Sequence, residues 1–214
     1  MILVIGRFAA CHHDARRYSV MTSMAIGDYN RGMTVTKFGP WTQTSTRRVY
    51  ENPWIDVRQD EVITPAGTEG IYGVVHFKNI AVGIIPVDQH GNTFLVGQYR
   101  YTLTGYSWEI PMGGCPVGTS PVETASRELR EETGLVAGDY EQILRVHLSN
   151  SVSDEEGYVF VARDLTKGDM ALEDTEDIQV KELALDEAIG MAQDGRITDA
   201  LSVAGLLRLA SMIR

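Results

Sequence analysis

Glu128, Glu131 and Glu132 stand at i, i+3 and i+4 in the run Arg-Glu-Leu-Arg-Glu-Glu-Thr-Gly-Leu, residues 127 to 135. Read as a helix, this places the three carboxylates within an arc of roughly 100°. The arrangement breaks two local rules. Glu128 and Glu132 are a like-charge i,i+4 pair, which costs on the order of 0.2–0.5 kcal/mol. All three also lie near the helix C-terminus, where the macrodipole disfavours anions, because Gly134 is placed to end the helix. An acidic cluster on a helix is ordinarily a solvated face, but one that accepts two penalties at the same spot points to function. The chemistry it suits is divalent-cation binding, since Mg2+ takes hard oxygen ligands and shares them with substrate phosphates.

The residues upstream sharpen this. Five residues separate Gly113 from Thr119, and seven more separate Thr119 from Arg127. The whole pattern resembles the Nudix box of the Nudix hydrolase superfamily, Gly-x5-Glu-x7-Arg-Glu-U-x-Glu-Glu-x-Gly-U, with U a bulky aliphatic residue. Gly113, Arg127, Glu128, Leu129, Glu131, Glu132, Gly134 and Leu135 match. Thr119 departs, standing where the family has its first Glu. The resemblance implies that metal is held by Glu128, Glu131 and Glu132 with the backbone carbonyl of Met112, and that the missing Glu belongs to the internal bonding of the loop. Thr119 or Ser120 is then a candidate helix cap, with Pro121 at the first helical position.

The resemblance runs over roughly residues 46 to 205. Gln98-Tyr99-Arg100-Tyr101 ahead of Trp108-Glu109-Ile110-Pro111, and Ser149 to Glu155 ahead of Tyr158-Val159-Phe160-Val161-Ala162, look like the ADP-ribose and nucleoside-diphosphate-sugar pyrophosphatase branch. That branch implies Mg2+-dependent hydrolysis (Mn2+ as substitute) of a nucleoside diphosphate sugar to NMP and sugar phosphate. In it an acid on the later loop completes the site; Glu155 is the best positional match, with Asp154 and Glu156 as its neighbours. Arg127 is expected to pair with a box glutamate, Arg100 to clamp a phosphate or ribose, and Glu109 to meet a sugar hydroxyl. Arg48, Tyr50 and Trp54 are candidates for stacking on the base, against an ordinary role as sheet and core residues. Two other readings stand beside this one: a hydrolase of dinucleoside polyphosphates or nucleoside triphosphates, and a non-catalytic ADP-ribose sensor. The three retained box glutamates weigh against the sensor.

At 214 residues the chain can bury one sizeable core, and 43% hydrophobic with 22% charged residues is ordinary for a globular protein. A formal net charge of −10 argues against nucleic-acid or anionic-membrane partners. It does not exclude an anionic substrate, since a metal and arginines can reverse the field in one cleft. Cys11 and Cys115 make no disulfide framework, and no base stands at a telling distance from Cys115 to make it a nucleophile. No apolar run approaches a membrane span. A cytoplasmic location is the expectation.

Residues 1–45 show no sustained period and are expected to be a flexible extension; His12-His13 within it reads as an incidental pair. Residues 46–76 alternate as short strands around a turn at Pro65-Ala66-Gly67, a segment the resemblance assigns to dimerisation and to the base. From residue 77 strands and helices interleave without Rossmann units. The expected fold is therefore an α/β/α sandwich on a mixed sheet, with the glutamate helix at about 120–133, a helix over Leu185 to Gln193, and an apolar one from about Thr198 to Ile213.

Overall fold

In the N-terminal third, runs rich in Thr, Val, Ile and Tyr alternate with turn residues, which favours strands over helices. The computed structural model, which describes residues 35–116, 118–169 and 177–213, places four strands there. They are β1 (Thr36–Phe38), β2 (Trp41–Glu51), β3 (Ile55–Ile63) and β4 (Glu69–Phe77), adjacent in that order. β1–β2 and β2–β3 are antiparallel, with register shifts at Gln43/Ser45 and Arg48/Tyr50. The turn after β3 closes where expected, with the Gly67 amide donating to the Thr64 carbonyl at 2.9 Å. One expectation needs correction. The boundary placed at residue 45 falls inside β2: residues 36–38 and 41–45 are strand because β1 pairs with the start of β2, and β2 in turn with β3. The rest of the expected extension, with Cys11, His12 and His13, lies outside the described residues.

Residues 53–55 and 76 onward form a second unit. Its strands are β5 (Asn79–Pro86), β6 (Asn92–Arg100), β7 (Gly105–Glu109), β8 (Met112–Pro116), β9 (Leu135–Val136), β10 (Asp139–His147), β11 (Glu156–Arg163), β12 (Thr166–Lys167) and β13 (Gln179–Ala184). Its helices are α1 (Pro121–Thr133), α2 (Leu185–Asp194) and α3 (Ala200–Ile213). The central sheet runs β10-β11-β5-β8 and is mixed: β11 and β5 are parallel, and the outer pairs are antiparallel. A second sheet runs β13-β6-β7, and β12 pairs with β9.

The side-chain alternation of β5 and β11 explains the layering. Val82 and Ile84 join Phe160 and Ala162 on one face, packed with Ala125 and Leu129 of α1. Ile85 joins Val159 and Val161 on the other, packed with Ala188 of α2 and Leu201, Leu206 and Leu209 of α3. Both faces are covered, which is why Ile80–Pro86 reads as a nearly continuous apolar run rather than an alternating one. Each fully buried Leu or Ile here contributes roughly 1.5–3 kcal/mol. α3 lies close on β11 because Gly205 has no side chain; a Cβ there would come within 2.9 Å of Val159 Cγ1. Helix, mixed sheet and helices thus stack as the sequence led us to expect.

Candidate active site

α1 carries the three glutamates, and its ends follow from local chemistry. Pro121 occupies the first turn and Gly134 ends the helix at φ 69°, its amide donating to the Arg130 carbonyl at 2.9 Å. The expected side-chain cap is absent: Ser120 holds the N-cap position without a capping bond. Thr119 works inside the loop instead. Its hydroxyl donates to the Pro116 carbonyl at 2.7 Å and lies 3.2 Å from Cys115 Sγ. A short hydroxyl therefore ties the loop where the family pattern has a Glu, and Cys115, fully buried, is part of that packing.

The segment before α1 is a strand. β8 pairs with β5, Val82 opposite Gly113 and Gly83 opposite Met112. This lays Met112, Gly113 and Gly114 alongside α1. Gly113 is required there, because a Cβ would fall inside the Glu128 carboxyl group. Glu132, only 2% exposed, accepts from the Met112 amide at 3.0 Å. Arg127 bridges the other two glutamates, donating to Glu131 Oε2 at 2.6 Å and Glu128 Oε1 at 2.5 Å, and it also reaches the Gly114 carbonyl. Partial burial works against its charge, but Glu128 and Glu131 outweigh that and hold the guanidinium above its usual pKa. The pairing expected of Arg127 is thus present.

Three carboxylates with hard oxygens, two of them buried, suit a divalent cation. As they stand, no three acidic or histidine side chains among the described residues converge at metal-binding range. Arg127 spans Glu128 and Glu131, and the Met112 amide holds Glu132. A bound cation would therefore compete with Arg127 for the same oxygens. Replacing Gly113 by Ala would force the Glu128 carboxyl aside. Because displacements near 1 Å can cost about 100-fold in rate, we expect turnover to fall 10-fold or more in Gly113→Ala, with an unchanged far-ultraviolet circular dichroism spectrum as the check on folding.

Two adjoining cavities open beside this face. One, about 420 Å³, is lined by Trp54, Phe77, Asn79, Arg100, Met112, Gly113 and Glu155, among others. The other, about 750 Å³, shares Phe77, Arg100 and Glu155 and adds Glu109, Thr198 and Asp199. Arg100 and Glu109 were expected to face substrate separately; they form a two-pronged pair, with Nε to Oε1 at 3.0 Å and the second prong at 2.5 Å. The hydrogen bonds that Arg100 donates to Glu109 raise its pKa against the opposing effect of burial. Glu109 is only 3% exposed, so it fixes the Arg100 head as well as lining the cavity.

The three neighbouring loop acids separate by partner. Asp154 is bound to His76 and to the Phe77 amide. Glu156 is bound to Arg145 and to the Tyr158 hydroxyl. Glu155 lines both cavities, and burial, with a smaller contribution from Asp199, pushes its pKa above the usual carboxylate range. Of the base-stacking candidates, Trp54 lines the smaller cavity and is 67% exposed. Tyr50 and Arg48 lie on β2 in the N-terminal unit, where Arg48 pairs with Glu51.

Phe77, Thr198 and Asp199 were missed. Asp199 carries a local signal, since it caps α3 by accepting from the Ser202 amide at 2.8 Å and the Ser202 hydroxyl at 2.7 Å. That signal marks a helix start, and α3 accordingly begins at Ala200 rather than Thr198. Nothing local says that this start borders a cavity formed by residues about 100 positions away.

The fold and this arrangement define the class. The NUDIX domain model matches residues 77–203, and the chain belongs to the Nudix family, as a hydrolase of its ADP-ribose pyrophosphatase branch. A second model, nucleoside diphosphate sugar hydrolase N-terminal domain, matches residues 41–75. The chain is 34% identical over 155 residues to an ADP-ribose pyrophosphatase of Mycobacterium tuberculosis, covering 71% of this chain and 74% of that protein. It is 31% identical over 160 residues to a methanol dehydrogenase activator of Bacillus methanolicus, covering 74% and 86%. A crystal structure of an ADP compounds hydrolase superimposes with a TM-score of 0.74 at 20% identity, covering 83% of this chain and 96% of that one, which bears on the fold alone. Among the described residues no helix is long and apolar enough to cross a membrane.

Proposed function

We propose that this protein hydrolyses the diphosphate link of ADP-ribose or a related nucleoside diphosphate sugar, with Mg2+ as cofactor and Mn2+ able to substitute. Water adds across one P–O–P bridge and releases NMP and sugar phosphate. The observation that carries this reading is the acidic face of α1 laid against β8 across the Gly113 gap, beside cavities shared by Arg100 and Glu155. Glu128, Glu131 and Glu132, with the Met112 carbonyl, would hold the cation. Such an ion neutralises diphosphate oxygens and acidifies bound water.

The chain's own groups supply the rest. Glu155 takes the proton from the attacking water, a task favoured by a carboxylate whose pKa is drawn up toward the working pH. Arg100, immobilised by Glu109, grips a phosphate or ribose oxygen with its remaining N–H donors. Arg127 spaces Glu128 and Glu131 and limits their rotamers. Trp54 offers a ring for the base. We also read the chain as a homodimer through its N-terminal sheet, supported by exposed Phe38, Val49 and Tyr50 on that sheet.

The test is a substrate panel with Mg2+: ADP-ribose, ADP-glucose, GDP-mannose, UDP-glucose and a diadenosine polyphosphate, with product identification, and light scattering on the same sample. ADP-ribose or a nucleotide sugar should give NMP, and scattering should give twice 23.7 kDa. Cleavage of the diadenosine polyphosphate alone would move the protein to the polyphosphate reading. Binding of ADP-ribose without turnover would make it a sensor.

A further inference from the structure

The loop between β10 and β11 is closed at its base by the Leu148 amide donating to the Glu155 carbonyl at 3.1 Å. It is shaped internally by the Val152 and Ser153 amides, which donate to the Ser149 carbonyl at 3.0 and 2.8 Å. These bonds set the form of the loop but not its position against the rest of the unit. Asp154 sets the position. One carboxylate oxygen lies 2.6 Å from His76 Nδ1, and the other accepts from the Phe77 amide at 3.0 Å. These partners lie at the end of β4, far away in sequence. Phe77 is itself a wall of both cavities that Glu155 lines.

Two magnitudes show what this contact is for. The His76 and Asp154 side chains are 43% and 48% exposed, and an ion pair that open contributes only about 0–1 kcal/mol to stability. Glu155, in contrast, has to be held where burial and the charge of Asp199 both disfavour its ionised form; an untethered loop would relieve that by moving Glu155 outward into water. Two-point attachment of the adjacent residue opposes the movement.

We propose that His76 and Asp154 form a latch that holds the 149–155 loop against the end of β4 and so sets Glu155 in the cavity. This makes both of them positioning residues, and it rests on the reading of Glu155 as the group that receives the proton from water. The test compares Asp154→Ala, His76→Ala and His76→Gln, with ADP-ribose as substrate at saturating Mg2+. Misplacement of a reacting group by about 1 Å costs up to about 100-fold in rate. Both alanine variants should therefore lose 10- to 100-fold in kcat with KM nearly unchanged, and amide exchange over residues 149–155 should quicken. His76→Gln, which keeps a side-chain donor, should recover most of the loss. Wild-type kcat in Asp154→Ala and His76→Ala, with Glu155→Gln inactive, would overturn the latch alone. A loss in His76→Ala that His76→Gln does not recover would also overturn it. Wild-type turnover in Glu155→Gln would remove the reading of Glu155 and the latch with it.

Discussion

Replacing Glu132 or Glu131 by Gln is expected to lower Mg2+-dependent turnover by about 100-fold or more while leaving the protein folded. Removing a single preorganised electrostatic group from a reacting site has effects of about this size. Glutamine preserves the shape of the side chain, and at position 132 its carbonyl can still accept from the Met112 amide; only charge and metal affinity are lost. Stability should move the other way from activity. Glu132 is buried, carries the same charge as Glu128 one turn away, and lies at the wrong end of the helix dipole. Neutralising it should leave Tm unchanged or slightly raised. Gain of stability with loss of function is the behaviour of a site maintained against local electrostatics. Wild-type turnover in either variant at saturating Mg2+ would remove that residue from the site.

Glu155→Gln is expected to lose on the order of 100- to 10,000-fold in kcat, the usual range for a positioned general base, and to be more stable than wild type at neutral pH. The folded-state pKa of Glu155 lies above the ordinary carboxylate value of 4.5, through burial first and Asp199 second. Its contribution to stability is complete below that unfolded value and is lost as pH rises through the folded one. The wild type loses it progressively as pH rises above that value, and the Gln variant has no such loss. The Tm difference in favour of the variant should therefore be present at pH 7 and close toward zero below about pH 4.5. A variant less stable than wild type at pH 7 would contradict the burial argument. Wild-type kcat would contradict the assigned role.

Much of the candidate site is legible along the chain because it is carried by one continuous segment. Helical spacing alone brings Glu128, Glu131 and Glu132 to one face, and Arg127 lies within reach of both Glu128 and Glu131 on the same helix. The departure at Thr119 could be located but not interpreted, because its hydroxyl works through the Pro116 carbonyl and Cys115, a contact made by the fold of the loop. Arg100 and Glu109 were each found; their grip on one another runs along one face of the β6–β7 ladder, from the Arg100–Gly105 end to the Val96–Glu109 end, and spacing in the sequence does not show it. The three acids 154 to 156 could not be ranked by chemistry, since their types are nearly equivalent. Their differing partners, His76, the cavity and Arg145, lie on separate strands.

The chain by itself determines the short-range quantities: where helices start and stop, which faces are apolar, and which carboxylates must share a helix face. These depend on dihedral preferences and on neighbours within about four residues. Tertiary structure alone decides that the glycine run Gly113-Gly114 becomes a strand, since its ladder partner is β5, more than 25 residues upstream. It alone decides that Phe77, Glu155 and Asp199 border one cavity, because their convergence comes from the parallel pairing of β5 with β11 and the docking of α3 through Gly205. Burial is the physical reason for the division. A carboxylate acquires its working pKa only when distant chain segments exclude water from it, and no local pattern encodes which segments those are.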